Sequence, residues 1–276
     1  MHLSQARLHF QQEAQRPDAD IDLAKASLYL AQEEYPDLEP TEYLQQLDRM
    51  AAAVSAQLPS SRYPLRVIQT INEYLYDSLG FVGNADDYYD PRNSYLNQVL
   101  ARQTGIPITL SLVYLELAQR IEFPMVGVGM PGHFLIRPVV DDMMVFVDPF
   151  HRGEVLFPED CEARLQEVFG QPVGLRPEFL APITSRQYLA RMLTNLKLIY
   201  LNEQDLERTL AMVERLLVLS PDDVTERRDR GLIYYQLDRW REAVLDLEVY
   251  LDADAAAQDA AAIQQLVDQI KGHDPT

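Results

Sequence analysis

The chain has 276 residues, of which 47% are hydrophobic and 24% are charged, a composition typical of a globular protein with a buried core. Acidic residues outnumber basic ones by 43 to 24, which gives a formal net charge of -19. This charge repels phosphate groups, so we expect no nucleic acid and no membrane as partner, and a protein or peptide partner of basic character. The single cysteine excludes an internal disulfide, and the polar N-terminus has no signal-peptide pattern; we therefore expect a cytoplasmic protein.

Apolar residues at helical spacing predict helices over most of the first 120 residues. Pro36 ends the first helix, because proline disfavours helix at the residue before it, and Pro107 suits the first position of the last one. The predicted helices are, in chain order, about 21–35, 40–53, 64–79, 94–102 and 107–121, with a loop at 83–93.

From Pro124 onward the pattern changes to short runs typical of β-strands, at 125–130, 134–137 and 143–147. Asp141-Asp142 separates the last two runs, which predicts a hairpin with a two-residue turn. Helices followed by strands indicate an α+β domain, which we assign to residues 1–183.

The hairpin brings two chemically interesting side chains together. If Val140 pairs with Met143 across the turn, counting outward along both strands pairs His133 with Phe150. The side chains of His133 and Asp148 then lie diagonal to each other on the same face of the sheet. A hydrogen bond to Asp148 would fix the tautomer of His133 and raise its basicity, as general-base catalysis requires. The alternative is a structural pair that ties down a sheet edge.

Residues 184–276 are predicted to be helical and to repeat. One constant offset relates Ile199 to Ile233, Tyr200 to Tyr234, Leu206 to Trp240, Leu210 to Val244, Val213 to Leu247 and Leu217 to Leu251. A unit of about 34 residues with two helices is the tetratricopeptide pattern, and this offset matches it. Lys197 and Thr209 stand where the second unit has Gly231 and Ala243, so the first unit is degenerate, and a final helix at 255–270 suits a cap.

A general base needs a nucleophile, and the sequence offers weak ones. Thr109 and Ser111 lie inside a helix, where a hydroxyl usually bonds back to a backbone carbonyl. Cys161 has acidic neighbours, which raise the pKa of a thiol and weaken it as a nucleophile.

The remaining candidate features indicate no cofactor and no metal. The acidic loop at 86–90 could hold a hard cation through its carboxylates, but it lacks the spacing of an EF-hand, and a solvated loop is the preferred interpretation. A glycine-rich phosphate loop and a thiolate metal motif are both absent from the sequence.

Four segments together resemble a known family. They are Asn93-Ser94-Tyr95-Leu96, Thr104-Gly105-Ile106-Pro107-Ile108-Thr109-Leu110-Ser111, Pro131-Gly132-His133-Phe134-Leu135 and Val147-Asp148-Pro149-Phe150. With the C-terminal repeats, they resemble the bacterial SirB-type proteins, from about Ile21 to the end of the chain. The resemblance implies a papain- or transglutaminase-like α+β core with a small antiparallel sheet, followed by an all-α tetratricopeptide domain.

The transglutaminase-like superfamily uses a Cys–His–Asp triad. Carried over by position, its histidine corresponds to His133 and its aspartate to Asp148, while its cysteine position, in a Gly-x-Cys pattern, falls on Pro107 of Gly105-Ile106-Pro107. The resemblance therefore implies triad remnants without a nucleophile, because acyl transfer needs a group that forms the covalent intermediate.

The resulting hypothesis is a pseudoenzyme: a non-catalytic scaffold or regulatory module that binds a protein partner through its repeats. The first alternative is a hydrolase or acyltransferase that uses His133 and Asp148 with Ser111 or an activated water as replaced nucleophile. In a second alternative only the repeats function and the first domain is a spacer.

Overall fold

A computed structural model describes residues 4–140, 143–253 and 257–273. The chain forms two compact units, Met1–Met192 and Leu193–Thr276. The first unit is α+β and the second is all-helical, as the sequence predicts. Within the described residues, no helix combines the length and the apolar character that crossing a membrane requires.

Proline and short polar side chains set the starts of the helices in the first unit. Asp22 caps one helix by accepting a hydrogen bond from the backbone N–H of Lys25 at 2.9 Å. Four of the helices begin with proline at the first position, where its missing N–H costs no hydrogen bond. The helices are α1 (Gln5–Ala14), α2 (Leu23–Glu34), α3 (Pro40–Gln57), α4 (Pro64–Asn72), α5 (Leu96–Arg102), α6 (Pro107–Arg120) and α7 (Pro158–Phe169).

Two of these helices differ from the prediction. The helix predicted over 64–79 is α-helical only to Asn72, and Glu73–Ser78 continues it as a π-helix. Helix α1 was not predicted, because its sequence is polar and has little helical periodicity. It forms nonetheless, since Phe10 and Ala14 are buried and the helix packs along α2.

Helix α6 is the centre of the first unit. Its residues are apolar on nearly every face and almost all of them are buried, as expected for a helix surrounded by protein. Tyr114 donates its hydroxyl hydrogen to the backbone oxygen of Ile68 or to Oδ1 of Asn72, at 3.2 and 3.1 Å. Tyr188 donates to the backbone oxygen of Ile108 at 2.6 Å. These bonds satisfy polar groups that burial would otherwise leave without water.

The main sheet is antiparallel and lies against α6. Its strands follow in the order β3 (Met125–Val128), β4 (Leu135–Pro138), β5 (Phe146–Asp148) and β6 (Glu154–Leu156). Ile136 pairs with Val147, which confirms the predicted register of the hairpin. The predicted turn at Asp141-Asp142 lies outside the described residues.

Several strands differ from the sequence prediction. Strand β5 starts at Phe146 rather than at residue 143, and β6 was not predicted because three residues give too short a pattern. A short parallel pair joins β1 (Val82–Gly83) to β2 (Thr104–Gly105). A parallel pair of two residues leaves no alternation in the sequence from which it could be recognised.

The second unit repeats its helices at a constant interval. It contains the last part of α8 (Ser185–Asn202) and all of α9 (Leu206–Leu219), α10 (Val224–Gln236), α11 (Trp240–Ala253) and α12 (Ala260–His273). Helix α11 begins and ends one repeat length after α9, and α10 ends one repeat length after α8. This repeat length equals the constant offset between the corresponding apolar residues. These bounds confirm the predicted period.

The two repeats differ at one close contact. A Cβ on Gly231 would lie 2.8 Å from Cδ2 of Leu247, so a larger residue at this position would displace the Leu247 side chain. In the first repeat this position is Lys197, whose buried ammonium group donates to Glu226 and Asp229 at 2.7 and 2.6 Å. The predicted degeneracy of the first repeat therefore has a structural counterpart, a buried ion pair in place of close packing.

Candidate functional site

The turn before β4 places His133 near the start of this inner strand, at one end of the main sheet. Gly132 has a φ of +71°, and a Cβ there would lie 2.4 Å from Cγ1 of Val168, so the turn requires glycine. Arg191 fixes the turn by donating to the backbone oxygens of Met130 and His133 at 3.2 and 3.0 Å. His133 is only 6% exposed.

The register of the hairpin brings Asp148, the last residue of β5, to the ring of His133. Nε2 of His133 lies 2.8 Å from Oδ2 of Asp148. The spacing of the sequence thus predicted the contact between these side chains. Asp148 has no exposed surface, so its carboxylate depends entirely on protein donors.

Asp148 accepts hydrogen bonds on both oxygens. Oδ1 accepts from the backbone N–H groups of Phe150 and His151 at 3.1 and 3.3 Å. Oδ2 accepts from His133 and from Nδ1 of His151, each at 2.8 Å. Burial by itself raises the pKa of Asp148, but the hydrogen bonds and charges of the two histidines outweigh burial and hold this pKa well below its ordinary value. The carboxylate is therefore ionised at neutral pH.

His151 is the member of the site that sequence analysis missed. It ends the 3-10 turn Pro149–His151, and its side chain is 40% exposed. One 3-10 turn has three residues, so positions three apart lie on the same side. The Asp-x-x-His spacing from Asp148 was the available signal. Donor atoms of His133, Asp148 and His151 lie within 4.8 Å of one another, and these three residues could hold a metal ion.

Aromatic rings surround the two histidines. The ring of Phe150 stands nearly perpendicular to those of His133 and His151, with centroids 6.2 and 5.2 Å away. Tyr88, from the acidic loop, packs edge-on against the same phenyl ring at 6.2 Å. The backbone of Gly83 approaches Phe150 so closely that a Cβ would lie 2.6 Å from the ring. The histidine side of the site is therefore tightly packed.

The start of α6, where the resemblance places the nucleophile, is buried and has no reactive side chain. Pro107 is the first residue of the helix and is buried. Thr109 accepts from the backbone N–H of Ile106 at 3.1 Å and donates to the backbone oxygen of Asn93 at 2.6 Å. Its hydroxyl is therefore used in capping the helix.

The other two candidate nucleophiles are also buried. The hydroxyl of Ser111 has no hydrogen-bond partner among the described residues, so it forms no hydrogen bond to His133. Cys161 packs in an apolar cluster with Leu135 and Leu165. Burial first, and then the charges of Asp160 and Asp148, raise the pKa of Cys161 to about 12. This agrees with the expectation that its acidic neighbours weaken it as a nucleophile.

The acidic loop does not gather its carboxylates. Asp86 and Asp87 are exposed, whereas Asp90 is buried and pairs with Arg92 and Arg102 at 2.8 and 3.2 Å. Burial raises the pKa of Asp90, but the hydrogen bonds of Arg92 and the charges of both arginines lower it below its ordinary value. The loop is thus solvated at its tip and held by an ion pair at its base.

A cavity of about 580 Å³ borders the turn that follows Asp148. Its lining includes Asn72, Tyr76, Arg152 and Gly153, but neither His133 nor Pro107 among the described residues. Tyr76 is buried and its hydroxyl has no described partner. Burial and the nearby charge of Asp148 raise the pKa of Tyr76 far above its ordinary value, so its phenol stays protonated.

Comparison with known proteins agrees with this architecture. Residues 41–194 match the model of the transglutaminase-like superfamily, and residues 196–268 match that of the tetratricopeptide repeat. No solved structure matches the chain.

Relatives of similar length come from several bacteria. A UPF0162 protein from Xylella fastidiosa is 36% identical over 263 residues, which cover 93% of this chain and 90% of the relative. A UPF0162 protein from Pseudomonas aeruginosa is 30% identical over 236 residues, 85% of this chain and 84% of the relative. F-box only protein 21 from Homo sapiens is 30% identical over 205 residues, 69% of this chain but 31% of that protein. The chain therefore belongs to the transglutaminase-like superfamily and to the family of UPF0162 proteins.

Proposed function

We propose that the chain is a non-catalytic, SirB-type scaffold or regulatory protein whose transglutaminase-like unit has lost its nucleophile. One observation carries the proposal: buried Pro107 stands at the start of the core helix, the position to which the resemblance assigns the superfamily's cysteine. Without a thiolate, acyl transfer loses the covalent intermediate on which it depends.

The neighbouring hydroxyls support the same conclusion. Thr109 uses its oxygen to cap the helix, and Ser111 is buried away from any hydrogen-bond partner in the described chain. A hydroxyl needs a base within hydrogen-bond reach to act as a nucleophile. In this proposal His133 and Asp148 are triad remnants with a structural task.

A hydrolase that activates water is the second candidate. The observation in its favour is the free nitrogen of His133: Nδ1 has no hydrogen-bond partner among the described residues, and it is not among their fully buried unpartnered atoms. An imidazole held by a carboxylate and open at its other nitrogen can act as a general base toward a water molecule.

Turnover assays distinguish the two candidates. We propose incubating the full chain with acyl-donor, ester and amide substrates and comparing it with His133→Ala. A matched control is His9→Ala, which removes a histidine that bonds to Gln5 outside the site. The scaffold proposal expects the same background rate from all three proteins. Turnover that disappears in His133→Ala alone would overturn it in favour of the hydrolase.

The repeats are the proposed partner-binding region. Stacked helix pairs offer a concave surface that suits peptide recognition, and the net charge of -19 favours a partner of basic character. In this proposal the protein is cytoplasmic. Cross-linking of the full chain in cell extract, followed by mass spectrometry, tests this. Cross-links to a partner should map to α8–α12 and decrease as salt is raised. Cross-links confined to residues 4–183 would contradict the proposal.

A further inference from the structure

The three polar side chains at the end of β5 are arranged as metal ligands are. Both His133 Nε2 and His151 Nδ1 lie 2.8 Å from Oδ2 of Asp148. With ligand bonds of about 2.1 Å, adjacent ligand atoms are about 3.0 Å apart in an octahedron and about 3.4 Å apart in a tetrahedron. Shifts of about 0.5 Å would therefore admit an ion between the three atoms.

The chemistry of the donors selects the class of ion. Two imidazole nitrogens and one carboxylate oxygen suit Zn²⁺ and its neighbours in the first transition row, whereas Ca²⁺ and Mg²⁺ prefer oxygen ligands alone. We propose that His133, Asp148 and His151 form a binding site for one divalent transition-metal ion, with Zn²⁺ as the test case. The ion would join the β4–β5 hairpin to the 3-10 turn that follows it.

The surrounding contacts prepare the ligands. The backbone N–H groups of Phe150 and His151 hold Oδ1 of Asp148, which leaves Oδ2 directed at the two rings. Outer contacts of this kind orient metal ligands.

With both imidazoles in the neutral form, metal binding releases no proton to solvent, because each ring proton moves to the other nitrogen. When Nε2 of His133 binds the ion, its proton moves to Nδ1, which has no other partner in the described chain. The proton of His151 moves from Nδ1 to Nε2, so the hydrogen bond that Nε2 accepts from Arg164 at 3.3 Å breaks and the guanidinium keeps only its carboxylate partners. Because the side chain of His151 is 40% exposed, solvent can deliver the ion and supply water at the open positions.

Arg164 is the group that opposes an ion at this site. Its Nε lies 3.6 Å from Oδ2 of Asp148, and its Nη1 lies 3.3 Å from Nε2 of His151. The guanidinium also bonds to Glu154 and Glu167, at 2.8 and 3.2 Å, and these carboxylates can retain it when the ion arrives. Removing this positive charge should tighten metal binding, whereas a purely structural arginine would give no such gain.

The experiment titrates the metal-free full chain with Zn²⁺ by calorimetry and with Co²⁺ by visible absorption. We expect one ion per chain with micromolar or tighter affinity, and no saturable binding of Mg²⁺. His151→Gln should weaken Zn²⁺ binding by at least about tenfold, since an amide is a poor ligand for this ion. His9→Gln is the matched control and should leave the affinity unchanged. Arg164→Gln should tighten binding by about threefold to tenfold, and Arg66→Gln, on the exposed side of α4, should not.

His151→Gln is the main variant because its side chain is partly exposed and glutamine can still donate to Asp148. Asp148→Asn is the second variant, checked for folding by circular dichroism. Absence of saturable Zn²⁺ binding to the parent chain, or equal affinity in a folded His151→Gln, would overturn the proposal. Neither result bears on the scaffold proposal, which is decided by turnover.

Discussion

Polar groups have different roles in two regions of the first unit. One region is the hairpin that carries His133 and Asp148, and the other is the start of α6. At the hairpin, one buried carboxylate binds two imidazoles and two backbone N–H groups. At the helix start, Pro107 offers no reactive atom and Thr109 bonds only to backbone. The comparison teaches that the hairpin concentrates its polar contacts on one buried carboxylate, whereas the start of α6 uses its hydroxyl only to cap the helix.

The largest expected effect is the loss of Asp148. Asp148→Ala removes four hydrogen bonds and leaves buried His133 without its partner, so the free energy of unfolding should fall by about 3–5 kcal/mol. Urea denaturation followed by circular dichroism measures this. Asp77→Ala is the control: Asp77 and its partner Arg152 are both exposed, so a change of less than about 1 kcal/mol is expected. Equal losses in both variants would contradict a structural role for the hairpin network.

The contribution of Asp148 to the free energy of unfolding depends on pH. Because the folded chain holds the pKa of Asp148 below its ordinary value of 3.8, its contribution is fully present above that value. It is lost as pH falls below 3.8 toward the folded-state pKa. Asp148→Asn should therefore flatten the acid side of the stability curve, and an unchanged acid slope would break this argument.

The next effect concerns access to the helix start. A thiol introduced by Pro107→Cys should react with a small neutral alkylating agent at least about a hundredfold more slowly in the native chain than in urea, because residue 107 is buried. Native Cys161, also buried, is an internal reference in the same molecule. Peptide mass spectrometry follows both sites. Rapid, His133-dependent labelling at residue 107 alone would indicate an open site and sharpen the case for catalysis.

A smaller effect is expected from the helix cap. Thr109→Val keeps the shape of the side chain but leaves the N–H of Ile106 and the backbone oxygen of Asn93 without their bonds. The loss should be about 1–2 kcal/mol in the free energy of unfolding. The same urea titration measures it, and a loss below about 0.3 kcal/mol would show that the cap contributes nothing.

The smallest effect belongs to the neighbouring hydroxyl. Ser111→Ala removes a buried group without a hydrogen bond in the described chain, so stability should stay within about 0.5 kcal/mol or rise slightly. The pair Thr109→Val and Ser111→Ala thus compares two hydroxyls on one helix. A substantial loss on Ser111→Ala, in stability or in turnover, would revive Ser111 as a functional residue.

Much of this architecture could be predicted from the sequence because it depends on local patterns. The register that pairs Ile136 with Val147 follows from counting outward from one turn, and it brought His133 to Asp148. The constant offset between α9 and α11 follows from repeated apolar positions.

The unpredicted features depend on tertiary contacts. Helix α1 is stabilised by burial of Phe10 rather than by periodicity, and β6 is three residues long. His151 was missed because its place in the site depends on the 3-10 turn after Asp148, which a short polar spacing does not specify. Lys197 was recognised as a departure from the repeat, but its carboxylate partners became known only from the fold.

Because Cys161 is buried, the rate at which its thiol is modified reports how often the surrounding structure opens. The chain's single thiol lies on the buried face of α7 with its pKa raised to about 12, so electrophiles and mild oxidants react slowly with this thiol in the folded molecule. Each modification event then records one separation of α7 from the sheet. The frequency of that opening can be read from the native protein without any introduced label.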